Sequence, residues 1–169
     1  MRVKNYFTWA VLLLSLIITG CSTSKGLTKE EKIAIETALR EAIENRTFVV
    51  EVNQALPMGG NMRILTSPYS LTVNGDEVKS HLPFFGRAYN APYGGGEGLI
   101  FESTITDYQL SFDKKGKALI EFKTKSKEDQ LAYRVNIFTN GSASIDVTSV
   151  NRQSISFAGK ASPPKTVEN

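Results

Sequence analysis

From Thr47 onward, apolar residues recur at every second position, and pairs of turn-forming residues interrupt them at short intervals. That combination admits few folds. Phe48, Val50 and Val52 share one face with Glu51 opposite, and Tyr69, Leu71 and Val73 alternate with Ser70 and Thr72. Asn74-Gly75 then supplies a two-residue reversal, because both residue types tolerate positive φ. Val78 and Leu82 return on one face. Further strands are expected over residues 99–103, 107–112, 118–124, 131–138, 142–150 and 154–160, with reversals at 113–116 and at Asn140-Gly141. Strands that follow one another through tight turns pair antiparallel. The reading is a mainly β, single antiparallel domain of eight to ten strands forming a curved sheet or barrel, with a sandwich as the alternative.

One helix precedes the strands. Thr28 and Glu31 have the spacing of a capping box, in which the hydroxyl accepts the third amide and the carboxylate reaches back. Ile35, Ala38, Leu39, Ala42 and Ile43 form a stripe at three- and four-residue spacing, and Asn45 is a suitable stop. This N-terminal amphipathic helix is expected to cover an apolar face or mouth of the sheet.

Ahead of the helix, Arg2 and Lys4 introduce an apolar run over residues 6–18 that ends in Ile18-Thr19-Gly20-Cys21. The run is about 13 residues long, short of the roughly 20 needed to span a bilayer. A basic head, a short apolar middle and a small residue at the end are the parts of a secretory signal. With a cysteine next, the stretch resembles the lipobox of bacterial lipoproteins. The resemblance implies cleavage between Gly20 and Cys21, acylation of Cys21 and a membrane partner held through that lipid anchor. The implied organisation is a signal peptide over 1–20, the lipidated cysteine and a tether over 21–27, the β domain over 28–161 and a disordered tail over 162–169. Ser22 after the cysteine resembles the default that directs such proteins to the outer membrane, facing the periplasm.

Composition narrows the chemistry. Arg2 and Lys4 leave with the signal, so the net charge of +3 falls to +1. Lys114, Lys115, Lys117, Lys123, Lys125 and Lys127 are interrupted by acidic residues and read as a solvated face, with no nucleic-acid partner expected. Cys21 is the only cysteine and His81 the only histidine, which leaves no disulfide and poor material for a zinc site. His81 falls on the polar face of its strand with Glu77 and Lys79. No calcium-loop pattern and no Gly-x-Ser-x-Gly elbow is present. The glycine-rich stretch over residues 93–98 feeds a strand and contains Glu97, so it is not a nucleotide loop. The expectation is no catalytic set, no metal and no cofactor.

The remaining candidates lie over residues 82–93, where Phe84, Phe85, Tyr89, Tyr93 and Arg87 occupy an irregular stretch. They either plug the end of the sheet or line an open mouth with apolar walls and a cationic anchor. Arg152 interrupts two strands and either places a guanidinium at a rim or forms a bulge. The runs over 69–76, 81–89, 91–95, 98–101 and 151–159, with Leu82-Pro83-Phe84-Phe85-Gly86-Arg87 the most specific block, resemble a family of bacterial envelope lipoproteins catalogued as a domain of unknown function, number 4251. The resemblance implies a tethered envelope location and supplies no catalytic residues. The favoured reading is a non-enzymatic binding module for an apolar or amphipathic ligand. The alternative is protein–protein interaction or a structural scaffold in the periplasm, and a hydrolase comes last. A continuous void would favour the ligand, and a filled core the partner. Nothing in the sequence fixes the oligomeric state.

Overall fold

The computed structural model describes residues 28–89, 98–127 and 129–164. Helix α1 (Lys29–Glu44) begins on the expected box: Thr28 N donates to Glu31 Oε2 at 2.7 Å and Glu31 N donates to Thr28 Oγ1 at 3.2 Å. Asn45 caps its C-terminus, and Arg46 turns the chain with φ of 55°. Eight strands follow: β1 (Thr47–Pro57), β2 (Arg63–Asn74), β3 (Glu77–Leu82), β4 (Leu99–Phe112), β5 (Ala118–Lys125), β6 (Gln130–Ile137), β7 (Ser142–Ser149) and β8 (Ile155–Ser162). Each pairs antiparallel with the next, and β8 pairs with β1, so the sheet closes into a barrel.

Alternation sets the inside. On β6, Leu131, Tyr133, Val135 and Ile137 are buried, and their register partners on β5 are Thr124, Phe122, Ile120 and Ala118. Burying each large apolar side chain contributes about 1.5–3 kcal/mol. The seam between β1 and β8 is tight: a Cβ on Gly159 would meet Glu51 O at 2.0 Å. Only glycine fits at that approach.

Two strands expected over 99–103 and 107–112 are one strand, β4. Asp107 sits at φ of 54° in a bulge where the register slips between Thr106 and Gln109. The bulge re-phases the alternation, which in the sequence looks like a break. The helix stripe is buried over its second half alone, at Leu39, Ala42 and Ile43; Ala38 is exposed and Ile35 is 51% exposed. Strand β8 runs to Ser162, paired with Val49.

The alternating strand directions define two ends. The helix end gathers α1 and the β2–β3, β4–β5 and β6–β7 turns. The loop end gathers the β1–β2, β3–β4, β5–β6 and β7–β8 connections.

Candidate functional site

An eight-stranded barrel has an interior just wide enough for its own side chains, and here Tyr133, Phe48, Phe122 and Phe157 are among the largest buried ones. The Phe122 and Tyr133 rings stack at 5.0 Å with 4° between their planes. Tyr133 Oη then crosses from β6 to β3, donating to Ser80 Oγ at 3.2 Å, and Ser80 Oγ donates to Leu99 O at 2.7 Å. This relay crosses the interior from one wall toward the opposite one. Burial pushes the Tyr133 phenol far above its ordinary pKa, and its bond to Ser80 only partly offsets that. The group is a neutral strut.

The loop end is closed by a polar plug. Arg152 follows β7, where Ser149 Oγ accepts the amides of Asn151 and Arg152, both at 3.0 Å, and turns the chain inward. Its guanidinium is buried: Nε donates to Asp129 Oδ2 at 3.2 Å, one terminal nitrogen donates to Gly98 O at 2.9 Å, and the Phe84 ring lies 5.2 Å away. Asp129, in the β5–β6 connection, also accepts from Ser149 Oγ, and its own amide donates to Ser126 Oγ at 3.0 Å. Asp129 Oδ1 is buried with no hydrogen-bond partner among the described residues. Residues 83–89 are stitched to residues 151–153: Tyr89 N donates to Asn151 O at 2.7 Å, Gln153 N to Arg87 O at 3.0 Å, and Arg87 N to Gln153 Oε1 at 3.0 Å.

The structure therefore separates the sequence candidates. Phe84 and Arg152 come together as parts of the plug. Phe85 is half-buried against the core with the Arg63 guanidinium 4.8 Å from its ring. Arg87 and Tyr89 are exposed on the outside of the stitched segment. Tyr93, Gly20 and Cys21 lie outside the described residues, as does most of the glycine-rich stretch. His81 is half-buried on the outer face, 5.3 Å from the Tyr69 ring. Among the described residues, no three His, Cys, Asp or Glu side chains gather in a way that could hold a metal ion.

Sequence reasoning missed a surface. Leu56, Met58, Met62 and Ile64 are exposed at the tip of the β1–β2 hairpin, with Ile64 at 75%. Gln54 pairs with Ile64, and the same register sets Leu56 against Met62 on that face. Val150, 72% exposed in the β7–β8 connection, and Tyr89 bring further apolar surface to the loop end. The available signal was the pair Leu56-x-Met58 and Met62-x-Ile64 flanking Gly59-Gly60, apolar residues in phase with the outward positions of β1. Asp129 carried no signal at all.

Residues 30–161 match the model of a family described as Domain of unknown function (DUF4251). The crystal structure of a DUF4251 family protein from Bacteroides eggerthii DSM 20697 is similar to this chain, with 21% sequence identity and a TM-score of 0.62, covering 77% of this chain and 88% of that one. At that identity the likeness is one of fold. No curated protein matches.

Proposed function

This chain belongs to the DUF4251 family, and on that premise we propose that it is a non-enzymatic docking module of the bacterial envelope that holds a protein partner through the apolar tips of its loop end. One observation carries the reading: the buried Tyr133–Ser80 relay crosses the lumen, while the exposed Leu56, Met58, Met62 and Ile64 stand together on one hairpin. A carrier of apolar ligands in a barrel of this size keeps its interior open. Here large apolar surface is instead offered outside, where contiguous patches mark interaction sites.

The expected acylation of Cys21 agrees with this. Residues 22–27 reach about 20 Å at full extension, and α1 feeds β1 at the helix end. On this reading the helix end is turned toward the anchoring bilayer and the loop end toward partners in the periplasm.

A second reading keeps the small ligand but moves it outdoors. A hollow of about 630 Å³ lies over the outer wall at Thr106, Lys123, Ala132, Thr148 and Val150, within the size range of small-molecule sites.

Photo-crosslinking in cells separates the two. A benzoylphenylalanine at Met58 is expected to give one discrete protein adduct, lost when Leu56→Asp and Ile64→Asp are added, with no adduct from the same probe at Lys115. An adduct pattern indifferent to the two aspartates would overturn the docking surface.

A further inference from the structure

Strand β4 is served by its neighbours unequally. Its fourteen residues pair with β3 over 99–104, from Leu82↔Leu99 to Glu77↔Thr104, and with β5 over 105–112, from Ile105↔Thr124 to Phe112↔Ala118. Among the described residues, 99–104 therefore have a strand on the β3 side and none on the β5 side. The β5–β6 hairpin ends at that corner, sealed by Ser103 Oγ donating to Lys125 O at 2.8 Å and Thr124 Oγ1 donating to Thr104 O at 2.9 Å. Above the corner, β4 and the hairpin tip diverge around a notch of about 500 Å³. Ile100 and Phe101 line it from β4, and the exposed Lys125 and Lys127 line it from the hairpin.

We infer that this notch is a strand-addition site for an extended peptide carrying a carboxylate. In an antiparallel sheet, alternate residues direct both their N–H and their C=O to the same side, so two residues between Ile100 and Ser103 present theirs to the notch. A row of unpaired backbone groups at strand spacing is matched by another extended chain. Ile100 offers apolar contact on the outer face, and Phe101, on the opposite face, is packed against the core. The two lysines set its charge: Glu102, the acidic residue on the β4 lip, is already engaged by Lys79 on the β3 side. Length fits as well, since a strand rising about 3.3 Å per residue crosses the open edge with three or four residues. The site is separate from the β1–β2 hairpin tip and does not rest on it.

The barrel and its helix close on themselves within residues 28–164, so residues 22–169 form the unit to test. The probe is an acetylated hexapeptide alternating threonine and valine and ending in aspartate with a free carboxyl group. Its binding is expected to slow hydrogen exchange at least tenfold at two of the amides between Ile100 and Ser103. Lys125→Glu with Lys127→Glu is expected to weaken binding about three- to tenfold, as exposed ion pairs do, and the same peptide N-methylated at alternate residues is expected not to bind. Ile64→Asp should leave the affinity unchanged. Unchanged exchange at millimolar peptide, or equal binding of the N-methylated peptide, would overturn the site. So would loss of binding in the Ile64→Asp chain, which would move the peptide to the hairpin tip. Acetate perturbing Lys125 and Lys127 while the peptide slows no amide would reduce the notch to an anion contact, and that also ends the proposal.

Discussion

At the helix end the lumen is stopped by Leu39, Ala42 and Ile43, whereas at the loop end it is stopped by Arg152 and Asp129 with the Phe84 ring 5.2 Å from the guanidinium. The first closure is apolar and undirected; its strength scales with the area it removes from water. The second depends on the placement of individual donors and acceptors, and it fixes three connections at once: the β3–β4 segment through Gly98 and Phe84, the β5–β6 turn through Asp129, and the β7–β8 turn through Ser149. A polar plug costs desolvation that an apolar one does not. What it returns here is a defined arrangement of the loops that carry the exposed Tyr89 and Val150. The end that holds its loops in register is also the end that shows apolar surface to solvent.

Substitutions can break this contrast in order of their expected size. Arg152→Ala leaves Asp129 charged and buried without its partner, and the cost should be about 3–5 kcal/mol by urea titration. Replacing both members, with Arg152→Met and Asp129→Leu, should restore most of that stability while amide exchange of residues 83–89 rises. If the double variant kept those amides protected, the ordering role of the pair would be wrong. At the helix end, Leu39→Ala should cost about 2–4 kcal/mol without altering exchange at the loop end.

Tyr133→Phe removes the strut between the β6 and β3 walls and should cost about 1 kcal/mol. It also has a pH signature. The folded phenol titrates above its ordinary value of 10.0, so the unfolded chain loses that proton first. Stability is intact below pH 10 and declines as the pH rises past it, by up to about 1.4 kcal/mol per pH unit for one group. Urea midpoints between pH 9 and 11 should fall less steeply for Tyr133→Phe. Smallest of all, Ile64→Asp should change stability by no more than about 0.5 kcal/mol, since the residue touches solvent on the outer face.

The two ends were unequally legible in the sequence. Thr28, Glu31 and the Leu39–Ala42–Ile43 stripe announce the helix plug because capping and helical periodicity are local rules. Most strands were legible for the same reason; the exceptions are Asp107, where a bulge re-phases β4 and imitates a break, and the outer halves of β1 and β2, which run to Pro57 and from Arg63. The loop plug is non-local: Arg152 and Asp129 are separated by 23 residues and meet through three different turns, and no spacing rule encodes such a meeting. Phe84 and Phe85 stood out as aromatics, but whether they plug or line a mouth depends on where Arg152 goes. The hairpin tip was hidden for another reason: Leu56, Met58, Met62 and Ile64 have the composition of core residues, and burial is decided by how far β1 and β2 extend beyond the barrel wall.

The measurement closest to the central claim is the state of the interior. Residues 22–169, incubated with a bacterial envelope lipid extract, repurified and weighed by native mass spectrometry, should return the bare polypeptide mass, because Tyr133, Phe122 and Ser80 already occupy the lumen. A stoichiometric adduct that survives repurification and disappears when Tyr133 is replaced by tryptophan would place a ligand inside the barrel and contradict the account.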